Sequence, residues 1–193
     1  MTDLSIAVFA SGSGTNLQAL MNASKGEILR GEVAAVISNN SRAYALERAR
    51  KENIPAYHIS GKTYSERTKF VSRLFEVFDE NNINLVVLAG YMKLVPIEVV
   101  RKYRSRIINI HPALLPGYGG KGMYGTTVHK AVIESGDRLS GATVHIVDEI
   151  YDHGAILIQR TVPVLADDTP ESLAARVLKV EHEILPEAAA MFL

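Results

Sequence analysis

The chain has 193 residues, 47% hydrophobic and 22% charged, enough for one sizeable core or two small ones and not the composition of a disordered polymer. Lys plus Arg equals Asp plus Glu at 21 each, so net charge gives no argument for a nucleic acid or an anionic membrane as partner. Cysteine is absent, which excludes disulfides, thiolate zinc sites and a thiol nucleophile and fits a reducing, cytoplasmic setting. Met1 to Phe9 has no basic residue and does not read as a signal peptide, and no apolar run nears the ~20 residues of a membrane span.

Leu4 to Ala10 reads as a first buried strand. Ser11-Gly12-Ser13-Gly14-Thr15-Asn16 follows, and then Leu17, Leu20 and Met21 recur at helical spacing. Val33 to Ile37 is a second strand, Ala43 to Glu52 a helix, and Ile54 to Ile59 a short third strand that Pro55 places at an edge or a strand beginning. Tyr64 to Phe78 is an amphipathic helix with Phe70, Leu74, Val77 and Phe78 on one face. Asn84 to Ala89 is apolar on both faces, as a central parallel strand should be. Gly90 to Lys93 forms its exit loop, and Pro96 suits the first turn of a helix to about Tyr103. Arg106-Ile107-Ile108 is a buried strand leading into Asn109-Ile110-His111-Pro112.

Gly117 to Gly125 holds five glycines in nine residues and reads as a mobile surface loop with nothing to pack a core. A helix from His129 to Glu134 ends at Ser135-Gly136. Ala142 to Val147 and Ile156 to Val162 are strands, and the alternation in Thr143-Val144-His145-Ile146 points to an antiparallel or edge position. Thr169-Pro170 caps a last helix lined by Leu173, Val177, Val180 and Ile184. The expected fold is α/β, a mainly parallel, Rossmann-like open sheet with helices on both faces, in a single domain over residues 1–193.

Two stretches carry chemistry. Gly12 to Asn16 lies between a strand and a helix, where tight backbone turns and unpaired helix-start N–H groups make an anion site, most simply for a phosphate. It lacks the Lys-Ser/Thr ending of a P-loop and the third glycine of the dinucleotide fingerprint, and its plainer reading is a tight turn. Asn109 and His111 are two apart at a strand's carboxyl end, so their side chains point the same way, and such ends are where open α/β sheets bind ligands. With Asp152 brought against them from the turn Asp152-His153-Gly154, an amide and an imidazolium would stabilise an oxyanion while the carboxylate keeps the imidazole charged and relays protons. No strong nucleophile stands out, and the histidines make no metal-spaced set, so direct acyl transfer without a metal is expected.

Four anchors then give the chain a resemblance: Ala10 to Gln18, Val87 to Lys93, Asn109 to Pro116, and Asp152-His153-Gly154. In this order, over nearly the whole chain, they resemble the folate-dependent formyltransferases, most closely those of purine biosynthesis. The resemblance implies transfer of a formyl group from 10-formyltetrahydrofolate, as co-substrate, to the amine of glycinamide ribonucleotide. It implies Asn109, His111 and Asp152 as catalytic residues, Gly14, Thr15 and Asn16 on the ribonucleotide phosphate, and Glu181 at the glycinamide end. The folate pocket would be lined by Met92, Lys93, Leu94, Asn109, Asp148 and Asp152. The chain departs from the usual pattern at His153, Ala155 and Lys93.

Three rivals stay in view: a formyl-folate hydrolase, a methionyl-tRNA-type formyltransferase domain, and a nucleotide-binding module without catalysis. The tRNA enzymes are expected to need a further domain after Leu193 and a basic surface, and the hydrolases an extra N-terminal domain. The expected partners are small molecules, with no nucleic acid and no membrane, in a monomer or homodimer.

Overall fold

A computed structural model of the chain describes residues 3–26 and 28–193. Met1, Thr2 and Glu27, which the single-domain expectation includes, lie outside the described residues. In chain order the elements are β1 (Leu4–Phe9), α1 (Thr15–Ser24), β2 (Gly31–Ser38), α2 (Tyr44–Lys51), β3 (Ala56–His58), α3 (Arg67–Glu80) and β4 (Leu85–Leu88). There follow α4 (Ile97–Lys102), β5 (Ile107–His111), α5 (Thr126–Ser135), β6 (Leu139–Ile146), β7 (Ile156–Pro163) and α6 (Pro170–Ala190).

The seven strands form one sheet in the order β3-β2-β1-β4-β5-β6-β7. The first five run parallel, and β6 and β7 join antiparallel. β4, whose four residues are all buried, lies in the middle, as its apolar run requires. β3, with Pro55 just before it, is the edge. The chain winds outward from β1 to β3, returns to β4 on the other side of β1, and so makes a switch point between β1 and β4, where a crevice opens at the strand ends.

Alternate residues of each strand feed two cores. Leu4, Ile6 and Val8 of β1 face a cluster with Leu17, Leu20, Leu46, Leu173, Val177 and Ile184, which is the face covered by α1, α2, α5 and α6. Ala7 and Phe9 face a second cluster with Leu74, Val77, Phe78, Val99 and Val100, covered by α3 and α4. At ~25 cal/mol per Å² of apolar area, these two layers supply the main force that holds the crevice walls in place.

Phe70 packs, partly buried, against the second cluster on the same face as Leu74, Val77 and Phe78, as its spacing predicts, and also reaches the cleft described below. Three local readings need correction. Pro96 precedes α4 as its cap residue and does not occupy its first turn. The third strand is confined to three residues. The glycine-rich segment from Gly117 is not free of the core: Tyr118 packs against the first cluster and gives its hydroxyl to Asp137 Oδ2 at 2.5 Å.

Candidate active site

A cleft of about 1040 Å³ opens at the carboxyl ends of β1, β4 and β5. Its walls include Gly12 to Asn16, Ala89 to Ile97, Asn109 to Pro112, Gly120 to Thr126 and Val147 to Asp152. All the residues singled out from the sequence lie on it: Gly14, Thr15, Asn16, Met92, Lys93, Leu94, Asn109, His111, Asp148, Asp152 and Glu181.

β5 carries Asn109 and His111, and β6 pairs with it so that His145 stands opposite Asn109 and Thr143 opposite His111. Cross-strand partners of an antiparallel pair share a face, so His145 is drawn into the site. Its Nδ1 lies 2.9 Å from the Ile146 carbonyl, which can only accept, so the proton sits on Nδ1 and Nε2 accepts from Asn109 Nδ2 at 3.0 Å. The second amide hydrogen has Asp152 Oδ1 at 3.5 Å, too far for a good bond, and remains free for a ligand oxygen. In the sequence His145 appears only in the alternating strand Thr143-Val144-His145-Ile146 and not among the candidate site residues; that alternation is the signal that could have placed it here.

The turn between β6 and β7 brings Asp152 in. Asp152 has φ 51°, and an ideal Cβ on Gly154 would lie 1.9 Å from the Ile146 carbonyl oxygen, so only glycine lets the turn fold back this closely. Asp152 Oδ2 accepts from the Gly120 N–H at 2.9 Å and stands 3.7 Å from His111 Nδ1, while Oδ1 stands 3.5 Å from His145 Nε2. Burial pushes this carboxyl up, yet the two neighbouring imidazoles, His145 foremost, and the Gly120 N–H outweigh burial and hold it below the ordinary carboxylate value.

His111 is 3% exposed and donates Nε2–H to the Tyr118 carbonyl at 2.8 Å. Burial is the larger influence and holds its pKa below the ordinary 6.5, although Asp152 pulls the other way. Asp152 thus favours the charged imidazole in the expected sense, while burial favours the neutral one and weighs more. The loop from Gly117 is tied to the site at both contacts, Tyr118 through His111 and Gly120 through Asp152. The exit after Pro112 is pinned as well: Thr143 Oγ1 donates to the Ala113 carbonyl at 2.7 Å, and Gln159 donates to the Leu115 carbonyl at 3.0 Å.

The other half of the cleft lies over α1 and α6. Gly14 has φ 73°, and a Cβ there would meet Ala45 at 2.8 Å, so the loop turns tightly into α1. No side chain caps α1, and its first turn has no acidic residue, which leaves its N–H groups for a ligand. Asn16 is buried and donates Nδ2–H to Glu181 Oε2 at 2.6 Å, while its Oδ1 has no partner. Burial raises the Glu181 pKa, and Asn16 only partly offsets this. Two acceptors side by side suit an amine or hydroxyl donor of a ligand. On the opposite wall, Met92, Leu94, Ile150 and Tyr151 are exposed apolar side chains beside Lys93 and Asp148, a surface suited to a flat, partly polar molecule. Asp148 accepts from Ile150 N–H at 2.8 Å and pairs with His153 Nδ1 at 3.0 Å. Among the described residues no group of three side chains is placed to hold a metal ion, and no helix is long and apolar enough to cross a membrane.

An open, switch-point sheet thus brings together an amide and an imidazole from β5 and a carboxylate from the turn after β6, a set of groups suited to stabilising an oxyanion. The chain belongs to the formyl transferase family, whose family model matches residues 4–189. It is 46% identical over 182 residues to "Phosphoribosylglycinamide formyltransferase, chloroplastic" of Vigna unguiculata, covering 94% of this chain and 58% of that one. It is 36% identical to phosphoribosylglycinamide formyltransferase of Escherichia coli K12, over 98% of this chain and 87% of that one. The crystal structure of glycinamide ribonucleotide transformylase 1 from Symbiobacterium toebii superposes with a TM-score of 0.91 at 42% identity, over 98% of this chain and 87% of that one. The chain thus spans less than two thirds of the plant relative's length.

Proposed function

We propose that the chain transfers the formyl group of 10-formyltetrahydrofolate to the amine of glycinamide ribonucleotide, a step of purine biosynthesis. The observation that carries this is the convergence of Asn109, His111 and Asp152 between an acceptor half, walled by Gly14 to Asn16 and Glu181, and an apolar donor half, walled by Met92, Lys93, Leu94 and Asp148. The family and the relatives' names agree with it. A cytoplasmic location is part of the proposal, resting on a chain without cysteine, as are one catalytic domain, no metal, no nucleic acid or membrane partner, and a monomer or homodimer.

The neutral acceptor amine attacks the formyl carbon, and a C–N bond forms as the C=O electrons move onto oxygen. Asn109 gives that oxyanion its free amide hydrogen, the other being held by His145. The attacking nitrogen loses a proton to His111 Nδ1, beside the Asp152 carboxylate, and the resulting imidazolium adds its charge next to the oxyanion. Collapse of the intermediate breaks the bond to the donor nitrogen, which takes the proton back. A preformed imidazolium is not needed, in keeping with the direction of the His111 pKa.

The test is deformylation of the donor, followed by absorbance, with each acceptor in turn. Turnover only with glycinamide ribonucleotide is the expected result. Turnover with no acceptor would make the chain a hydrolase, turnover with methionyl-tRNA would make it a tRNA formyltransferase, and binding without turnover a regulatory module.

A further inference from the structure

A second helix start opens onto the cleft. α5 begins after Gly125, with no side-chain cap and no acidic residue in its first turn. Thr126 and, one turn on, His129 line the cleft. His129 is 3% exposed, and its Nδ1 is buried without a hydrogen-bond partner. Burial and the nearby His111 hold its pKa below the ordinary value, so the ring is neutral. A bare acceptor is cheaper to bury unpartnered than an N–H, which puts the proton on Nε2. Such a ring on the cleft wall is a donor waiting for an acceptor that the protein does not supply.

Charge points to the same place. Three long cationic side chains line the cleft: Arg67, Lys93 and Lys121. Arg67 is held by both carboxylate oxygens of Glu98 at 2.9 Å each. Lys93 stands on the donor wall beyond β4. Lys121 stands in the loop just before α5 and makes no ion pair among the described residues. The loop before α1 has no cation of its own on the cleft: Arg48 reaches it from behind, giving Nε–H to the Ser13 carbonyl and Nη1–H to Gln18. α6 packs against both α1 and α5 and shows the cleft Ala174, Ala175, Leu178 and Glu181, so this wall supplies no cation. A phosphate monoester at the α1 start carries nearly two negative charges and needs a cation from elsewhere.

We propose that the acceptor's phosphate is gripped from two sides, by the start of α1 and by the start of α5, with Lys121 supplying the cation and His129 an N–H. This rests on the reading of the cleft as a glycinamide ribonucleotide site. The segment Gly120 to Gly125 is then a phosphate clasp, anchored on Asp152 through the Gly120 N–H.

The test measures KM for both substrates and the affinity for inorganic phosphate, by calorimetry and as a competitor of the acceptor, in wild type, Lys121→Ala, Lys121→Arg and His129→Gln. Lys121→Ala should raise the acceptor KM and the phosphate Kd by ~10-fold or more, leave the donor KM in place, and be largely rescued by Lys121→Arg. His129→Gln should weaken phosphate by a smaller factor. Unchanged acceptor KM and phosphate Kd in Lys121→Ala, or a rise confined to the donor KM, would overturn the proposal. Phosphate binding needs no turnover: if wild type binds phosphate through Lys121 yet does not formylate glycinamide ribonucleotide, the clasp stands and the choice of acceptor fails.

Discussion

In the reaction proposed above, His145 would act through another side chain. With Nδ1–H committed to the Ile146 carbonyl, its Nε2 fixes which way the Asn109 amide faces. His145→Phe should therefore lower kcat by ~10-fold while sparing both KM values, a smaller loss than the ~10²–10³ expected for Asn109→Ala, which removes the oxyanion donor itself. A normal kcat in His145→Phe would show that the amide needs no such hold. His111 offers a second check at this scale. Burial outweighs Asp152, so its ring should titrate below 6.5 in the free protein, as followed by NMR of the imidazole. A value above 6.5 would mean that the carboxylate dominates and the imidazolium is formed before substrate arrives. The place of His111 could be read from its neighbours in sequence, whereas the role of His145 could not. Asn109 and His111 announce themselves by their spacing and the prolines after them, but their relation to His145 depends on antiparallel register, and their relation to Asp152 on a turn that closes over 41 residues of chain from His111 (152 less 111).

Elements set how rigidly those groups are presented. The turn between β6 and β7 exists in its observed form because Gly154 lets the backbone pass against Ile146. Gly154→Ala should cost ~1–3 kcal/mol of stability and displace Asp152, so that turnover falls more than stability at working temperature would explain. Retained turnover in a fully stable variant would contradict this. At the start of α6, Thr169 and Ser172 form a reciprocal capping box, and Asp168 accepts from the Leu165 N–H, the Ser172 hydroxyl and both Arg176 Nη atoms. These bonds, led by Arg176, hold the Asp168 pKa far below the ordinary carboxylate value. A carboxyl depressed in the folded state contributes stability above its unfolded pKa and loses it as pH falls toward the folded one. Asp168→Asn should thus lower the melting temperature by a few degrees at pH 7, with the gap to wild type shrinking below about pH 4. An equal gap at every pH would place the effect elsewhere. Most elements were legible because their periodicity matches their burial, as in β4. The glycine-rich segment was not: composition spoke for looseness, whereas one tyrosine and two backbone groups tie its first half to the site.

The whole molecule joins two chemically different halves across one sheet. Under the proposed function, the helix starts of α1 and α5, with Glu181 and Lys121, would serve an anionic acceptor. The 90–94 and 148–152 segments would offer apolar and mixed surface to a planar donor, with β5 also on the cleft. The switch point between β1 and β4 explains why the cleft lies there, and alternation of strands with helices made that architecture readable in advance. What stayed hidden was the meeting of distant partners, such as Asn16 with Glu181, 165 positions apart, because only the folded sheet and the packing of α6 on α1 bring them together. In the proposed transfer, both halves must be filled before Asn109, His111 and Asp152 can act. A single-turnover measurement of formyl transfer from 10-formyltetrahydrofolate, with and without glycinamide ribonucleotide, in wild type and Asp152→Ala, tests this requirement. We predict one formyl group transferred per acceptor in wild type, none lost without acceptor, and a rate ~10²-fold or more slower in a folded Asp152→Ala. Deformylation that ignores the acceptor, or an Asp152→Ala rate equal to wild type, would contradict it.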